Sequence, residues 1–138
     1  MFPDLRLSAI GLLFAAMCCA AGCGKADVKD YVPADALARA SLASALDAWK
    51  AGRGPEEIGA SKPAVVAQDA QWKAGKKLAA YEIVGPEKSD DQNLRYRVKL
   101  SFADAAAPQK AVYVVFGKDP IWVFDEAAYR QASGISPP

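Results

Sequence analysis

The 138-residue chain contains no histidine. That removes the commonest acid/base at neutral pH, the commonest transition-metal ligand, and every Ser-His or Cys-His nucleophile pair. Cysteine is scarce too, with Cys18, Cys19 and Cys23 all near the start. The body of the chain therefore has no disulfide framework. Neither sign of charge dominates: 17 Lys and Arg face 16 Asp and Glu, for a net charge of +1. Such a balance gives no field that would gather nucleic acid or a strongly acidic partner. Glycine-rich phosphate loops are missing, and Gly52-Arg53-Gly54 reads as a helix stop. The run Asp90-Asp91-Gln92-Asn93 lacks the glycine and distal glutamate of a calcium loop. No cofactor or metal motif is read, and no catalytic residue is assigned.

What is present begins with a leader. Met1 to Arg6 is a short polar segment in which Asp4 opposes Arg6. Leu7 to Ala21 then runs weakly polar to apolar and closes on small residues. A membrane-spanning helix needs roughly 20 apolar residues, so this shorter run reads as a cleaved export signal. Ala20-Ala21-Gly22 leads directly into Cys23. This resembles the lipobox of bacterial lipoproteins, with Ala20 where that family usually has Leu. The resemblance implies cleavage after Gly22, a diacylglyceryl group on the Cys23 thiol, and a domain held outside the cytoplasm on the cell membrane or outer membrane. Cys18 and Cys19 are poorer acceptors, because Met17 precedes them where small residues are needed. Cys23 would be the lone cysteine of the mature chain, and a lipid acceptor accounts for that position. Two acyl chains suffice for stable anchoring at about 0.8 kcal/mol per buried methylene. Gly24, in place of the Asp that favours inner-membrane retention in some bacteria, points to the outer membrane. The division expected is 1–22 signal, 23–32 tether and 33–138 one domain. Gly24 to Val32 reaches roughly 30 Å when stretched.

The domain reads as α+β. Pro33 suits a first helical turn. From Ala34 to Ala51 the chain is rich in Ala and Leu, with Ala38, Leu42, Ala45, Leu46 and Trp49 in one apolar stripe. Asp35 pairs with Arg39 and Asp47 with Lys50 on the polar side, and Gly52 ends the helix. A brief strand is read at Ala64 to Ala67, and Asp69 caps a turn ending at Gly75. Lys77 to Val84 reads as a strand with Ala79, Tyr81 and Ile83 on one side, stopped by Gly85-Pro86. Leu94 to Phe102 alternates strictly, with Leu94, Tyr96, Val98, Leu100 and Phe102 on one face and Arg95, Arg97 and Lys99 on the other. Strands at Ala111–Phe116 and Ile121–Phe124 flank a turn at Gly117-Lys118-Asp119-Pro120, and a helical turn follows at Asp125–Tyr129. The expected architecture is one N-terminal helix on an antiparallel meander of about four strands. Trp49, Trp72 and Trp122 are expected to meet in its core. The chain reads as free of internal repeats.

That element order, across residues 33 to 129, resembles cystatin-like folds, including the nuclear-transport-factor-like cone. Trp72-Lys73-Ala74-Gly75 and the Tyr113 segment (Ala111-Val112-Tyr113-Val114-Val115) are also similar to motifs of small bacterial lipoproteins. Enzymes of the cone type place a His and an Asp in its mouth, and without His that dyad has no counterpart. Asp69, Tyr81, Glu82, Arg95 and Arg97 are the remaining candidates for acid/base or anion-binding work. Glu82 and Arg97 are expected to meet across the sheet. Arg95, Arg97 and Lys99 form a candidate basic strip, extended by Lys73, Lys76 and Lys77. The reading is a membrane-tethered, non-enzymatic accessory module that binds an envelope protein or polymer and lacks a buried ionisable cluster. The alternative is an enzyme or small-molecule binder with a pocket lined by Tyr81, Tyr96, Trp49 or Trp122 around Glu82 or an arginine.

Overall fold

Alanine and leucine on a 3.6-residue period build the first helix, α1 (Asp35–Lys50), in the computed structural model. The structure describes residues 28–134 apart from 57, 59, 60, 89 and 90. The leader and Cys23 lie outside the described residues. Asp35 complements the positive end of α1 and ion-pairs with Arg39 at 3.1 Å. Ala38, Leu42, Ala45, Leu46 and Trp49 are all buried, as the stripe predicts. Asp47 departs from expectation. It accepts a hydrogen bond from the Tyr81 hydroxyl at 2.7 Å rather than pairing with Lys50.

After α1 come β1 (Val65–Gln68), the single-turn α2 (Ala70–Lys73), β2 (Leu78–Glu87), β3 (Leu94–Phe102), β4 (Gln109–Gly117), β5 (Ile121–Asp125) and α3 (Glu126–Ala132). The α+β class stands, but the sheet is mixed and five-stranded, in the order β1-β5-β4-β3-β2. Only β2 to β5 form the antiparallel meander. The fifth strand, β1, pairs parallel with β5. Ile121 N–H donates to the Ala64 carbonyl at 2.7 Å, and the Asp119 carboxylate accepts from Ala64 N–H at 3.2 Å, fixing that pairing at its start.

Strand β2 also runs further than expected, through Gly85-Pro86 to Glu87. Register shifts at Leu78/Ala80 and Ile83/Gly85 turn the strand locally, so Ala79 is exposed while Leu78 is buried. Proline is tolerated because β2 is an edge strand.

Two layers of side chains cover the sheet. On the α1 face, Tyr96, Val98, Leu100 and Phe102 of β3 meet Leu42, Leu46 and Trp49. The helix runs alongside β3 in the same direction: the Tyr96 hydroxyl donates to Asp35 at 2.7 Å, and the Trp49 and Phe102 rings lie 5.6 Å apart. Fourteen helical residues rise about 21 Å, and six strand residues about 20 Å, so the two contacts are in register. On the opposite face, Phe116, Trp122 and Phe124 cluster with Tyr129 of α3. Trp122 thus does not join Trp49 and Trp72. Ile121 and Val123 take the core face of β5, and strand alternation sends Trp122 to the other side.

Candidate functional site: a cationic groove built by twin motifs

Two helices end in the same way. At the end of α1, Gly52 N–H donates to the Trp49 carbonyl at 2.9 Å and Arg53 N–H to the Ala48 carbonyl at 3.0 Å. At the end of α2, Gly75 N–H donates to the Trp72 carbonyl at 3.0 Å and Lys76 N–H to the Gln71 carbonyl at 3.1 Å. Both are Schellman caps closed by a left-handed glycine, with φ of 81° at Gly52 and 86° at Gly75. The sequences are matched as well: Trp49-Lys50-Ala51-Gly52-Arg53 and Trp72-Lys73-Ala74-Gly75-Lys76. The reading of the chain as free of repeats is corrected by this pair. The signal was available as a repeated Trp-Lys-Ala-Gly followed by a cation, but it is too short to register as a domain-scale period.

The two copies lock together reciprocally. The indoles of Trp49 and Trp72 stack with centroids 5.5 Å apart and planes 8° from parallel. Trp49 Nε1 donates to the Lys76 carbonyl at 2.7 Å, and Trp72 Nε1 to the Arg53 carbonyl at 2.8 Å. Each indole therefore holds the loop that follows the other. Both rings are buried, at 3% and 6% exposure, so they brace the site and offer no open face to a ligand.

Over this brace lies a groove of about 760 Å³ whose walls carry Lys50, Arg53, Lys73, Lys76 and Lys77. All five side chains are exposed, and Glu56 is the one described carboxylate that lines it. Among the described residues, none of the five is in an ion pair. Lys73 donates to Gln68, and the Lys76 ammonium lies 4.8 Å from the Phe102 ring centre. Cations that share one groove outside any ion pair gather anions.

The candidate strip on β3 is arranged differently. Arg95 is held by Asp91 and lies over the Tyr129 ring at 5.3 Å, which pins the β2–β3 turn to α3. The Asp91 contact raises the Arg95 guanidinium further. Arg97 does not reach Glu82. It pairs with Glu87 at 3.1 Å, because the bulge at Ile83/Gly85 moves the register. Glu82 stands exposed opposite Lys99, and Lys99 stands opposite Lys110. Arg97, Lys99 and Lys110 do line a second groove, of about 630 Å³, with Glu87, Glu126 and Arg130. Arg130 is paired with Glu126 at 2.9 Å. Of the sequence-predicted basic residues, Lys73, Lys76 and Lys77 thus belong to the twin-motif groove, separate from Arg97 and Lys99.

Of the aromatic residues named for a pocket, Trp49 borders the twin-motif groove with its ring buried, whereas Tyr81, Tyr96 and Trp122 line neither of the two grooves. Tyr96 is 0% exposed with its hydroxyl on Asp35, and burial raises that phenol, with Asp35 adding to the effect. Burial and Asp47 push the Tyr81 phenol up to about 12.

One buried ionisable pair departs from expectation. Asp69 is 3% exposed, caps α2 by accepting from Gln71 N–H (2.8 Å) and Trp72 N–H (3.1 Å), and accepts from the Tyr113 hydroxyl at 2.5 Å. Burial raises its carboxyl above the usual range, against the hydrogen bonds that lower it. Desolvation likewise raises the Tyr113 phenol, with Asp69 adding to the effect. The pair anchors α2, and through it Trp72, to β4.

Among the described residues no His, Cys, Asp or Glu group gathers to hold a metal ion, and no helix is long and apolar enough to cross a membrane. Compared with known proteins, the chain matches no family model, no curated protein and no solved structure.

Proposed function

We propose that this protein is a membrane-anchored, non-enzymatic binding module of the cell envelope, with Cys23 as its lipid acceptor and the twin-motif groove as its contact surface. The observation that carries this reading is the filled interface between α1 and the sheet. Leu42, Leu46, Trp49, Tyr96, Val98 and Leu100 close the space where a helix-on-sheet enzyme would keep its cleft. Among the described residues, five cations outside any ion pair lie instead along one open surface groove, braced from below by the buried Trp49 and Trp72. Asp69, the most buried carboxylate among the described residues, accepts from three donors of the fold itself, and the groove of about 470 Å³ that it borders between α2 and α3 holds no second carboxylate to work with it. The lipobox resemblance at Ala20-Ala21-Gly22-Cys23 supports the anchor.

The test is metabolic palmitate labelling with detergent partitioning of the full chain and of Cys23→Ser in a bacterial host. The reading expects label and detergent-phase partitioning in the wild type alone. Equal labelling of both proteins moves the acceptor to Cys18 or Cys19, and labelling of neither removes the anchor.

A further inference from the structure

We propose that the twin-motif groove binds a linear polyanion, a chain bearing anionic groups at regular intervals. The inference rests on the reading of the protein as a binding module and names the ligand class of that site. Two features lead to it. First, the cations come in two matching sets, Lys50 with Arg53 and Lys73 with Lys76, each carried by one copy of a repeated Trp-Lys-Ala-Gly and the cation after it, and the indoles of the two copies stack beneath one groove. A ligand with one anionic group uses one set, whereas a ligand with repeated groups uses both and gains from the linkage between them. Secondly, the indoles are buried and bonded through their N–H groups, so the site offers charge without a stacking face for a planar ring. Lysine dominates, and lysine acts as a mobile point charge rather than a fixed bidentate fork. That suits a flexible polymer better than one rigid ligand. The groove lies at the end of α1, about 24 Å along the helix from the end where the chain enters the domain. The tether's roughly 30 Å reach spans that distance, so the vesicle probe is what separates a polymer from the headgroups of the anchoring bilayer. Basic residues also complement helix C-termini, but that role does not require them to line a shared concavity, and the four-residue α2 has little dipole to complement.

The full-length Cys23→Ser protein, which removes the acyl group and so needs no detergent, is titrated by calorimetry with three probes: long-chain inorganic polyphosphate, inorganic phosphate, and vesicles of phosphatidylglycerol with phosphatidylethanolamine. Polyphosphate should bind, with affinity falling steeply as salt rises. Lys50→Gln with Arg53→Gln, or Lys73→Gln with Lys76→Gln, should each weaken it roughly tenfold, and the fourfold variant should abolish it. Lys99→Gln with Lys110→Gln, on the other sheet face, should leave it unchanged. Circular dichroism of each variant establishes that the fold is kept. Equal binding of inorganic phosphate, tighter binding of the vesicles, no binding of polyphosphate, or equal weakening by the Lys99/Lys110 variant overturns the proposal. Each of these outcomes is independent of Cys23 labelling, so failure here is distinct from failure of the anchor.

Discussion

Trp49 and Trp72 stack face to face at 5.5 Å, and each donates its indole N–H to the backbone of the loop that follows the other. The stack and the crossed hydrogen bonds form one unit, which fixes the positions of Arg53 and Lys76. Replacing either Trp by Phe removes an N–H donor and leaves a carbonyl with one partner fewer. We expect each single change to cost about 2 kcal/mol. The double variant should cost less than the sum by about 0.5–1.5 kcal/mol, because either single change already reduces the overlap that the two indoles share. Urea denaturation of the four proteins of the cycle measures this, and additive losses would show that the two indoles act separately.

Asp69 gives a pH dependence of known sign. Its folded carboxyl is raised above 3.8 by burial, so the folded state holds the proton more tightly than the unfolded chain. Its contribution to stability is therefore fully present below 3.8 and is lost as pH rises through the raised folded value. Asp69→Asn removes that titration. The stability of wild type relative to Asp69→Asn should fall across this window and then level off, as read by denaturant midpoints over pH. Asp69→Ala, which removes the cap and the acceptor of the Tyr113 hydroxyl, should cost about 1–3 kcal/mol at neutral pH. A difference between wild type and Asp69→Asn that rises with pH would contradict the assignment.

Gly117 closes the β4–β5 turn at a φ of 102°, and a Cβ there would lie 2.6 Å from the Pro120 carbonyl oxygen. Neither the backbone angle nor the space admits a side chain. Gly117→Ala should destabilise the domain by about 1–3 kcal/mol, with a fall in melting temperature. Gly134, with a φ of 68° and nothing within 4 Å of its Cβ position, provides the control. Gly134→Ala should cost less, because angular strain acts there without a clash.

Arg95 is expected to act in folding rather than in ligand contact. It is fixed by Asp91 on one side and the Tyr129 ring on the other, and Asn93 donates to the Tyr129 hydroxyl at 2.7 Å. Arg95→Gln should lower stability by about 1–2 kcal/mol and leave polyphosphate affinity unaltered. Denaturation and titration of the same preparation separate the two effects.

Much of the fold is legible in the sequence where one physical signal dominates. Strand β3 alternates without a break because one face is wet and the other lies on α1. The stripe from Ala38 to Trp49 follows because a helix on a sheet buries one side. Three features escaped for stated reasons. The four residues of β1 are too few to announce a parallel pairing that depends on Ala64, Asp119 and Ile121 being brought together. Gly85-Pro86 reads as a stop, yet an edge strand needs no inward N–H there, so β2 continues. The register shift it contains sends Arg97 to Glu87 and leaves Glu82 beside Lys99. The twin caps were half seen, in the Trp72 copy alone, because each cation by itself is an ordinary solvated residue. Only the stacking of Trp49 on Trp72 brings the two sets to one groove.

The most direct test of the account is co-sedimentation of the full-length Cys23→Ser protein with isolated cell envelopes, which removes the anchor and leaves the groove. Lys50→Glu, Arg53→Glu, Lys73→Glu and Lys76→Glu combined supply the comparison. The account predicts that the Cys23→Ser protein sediments with envelopes at about 50 mM salt and is released by about 200 mM, while the charge-reversed protein stays in the supernatant at both. Equal sedimentation of the two folded proteins would contradict the groove as the contact surface.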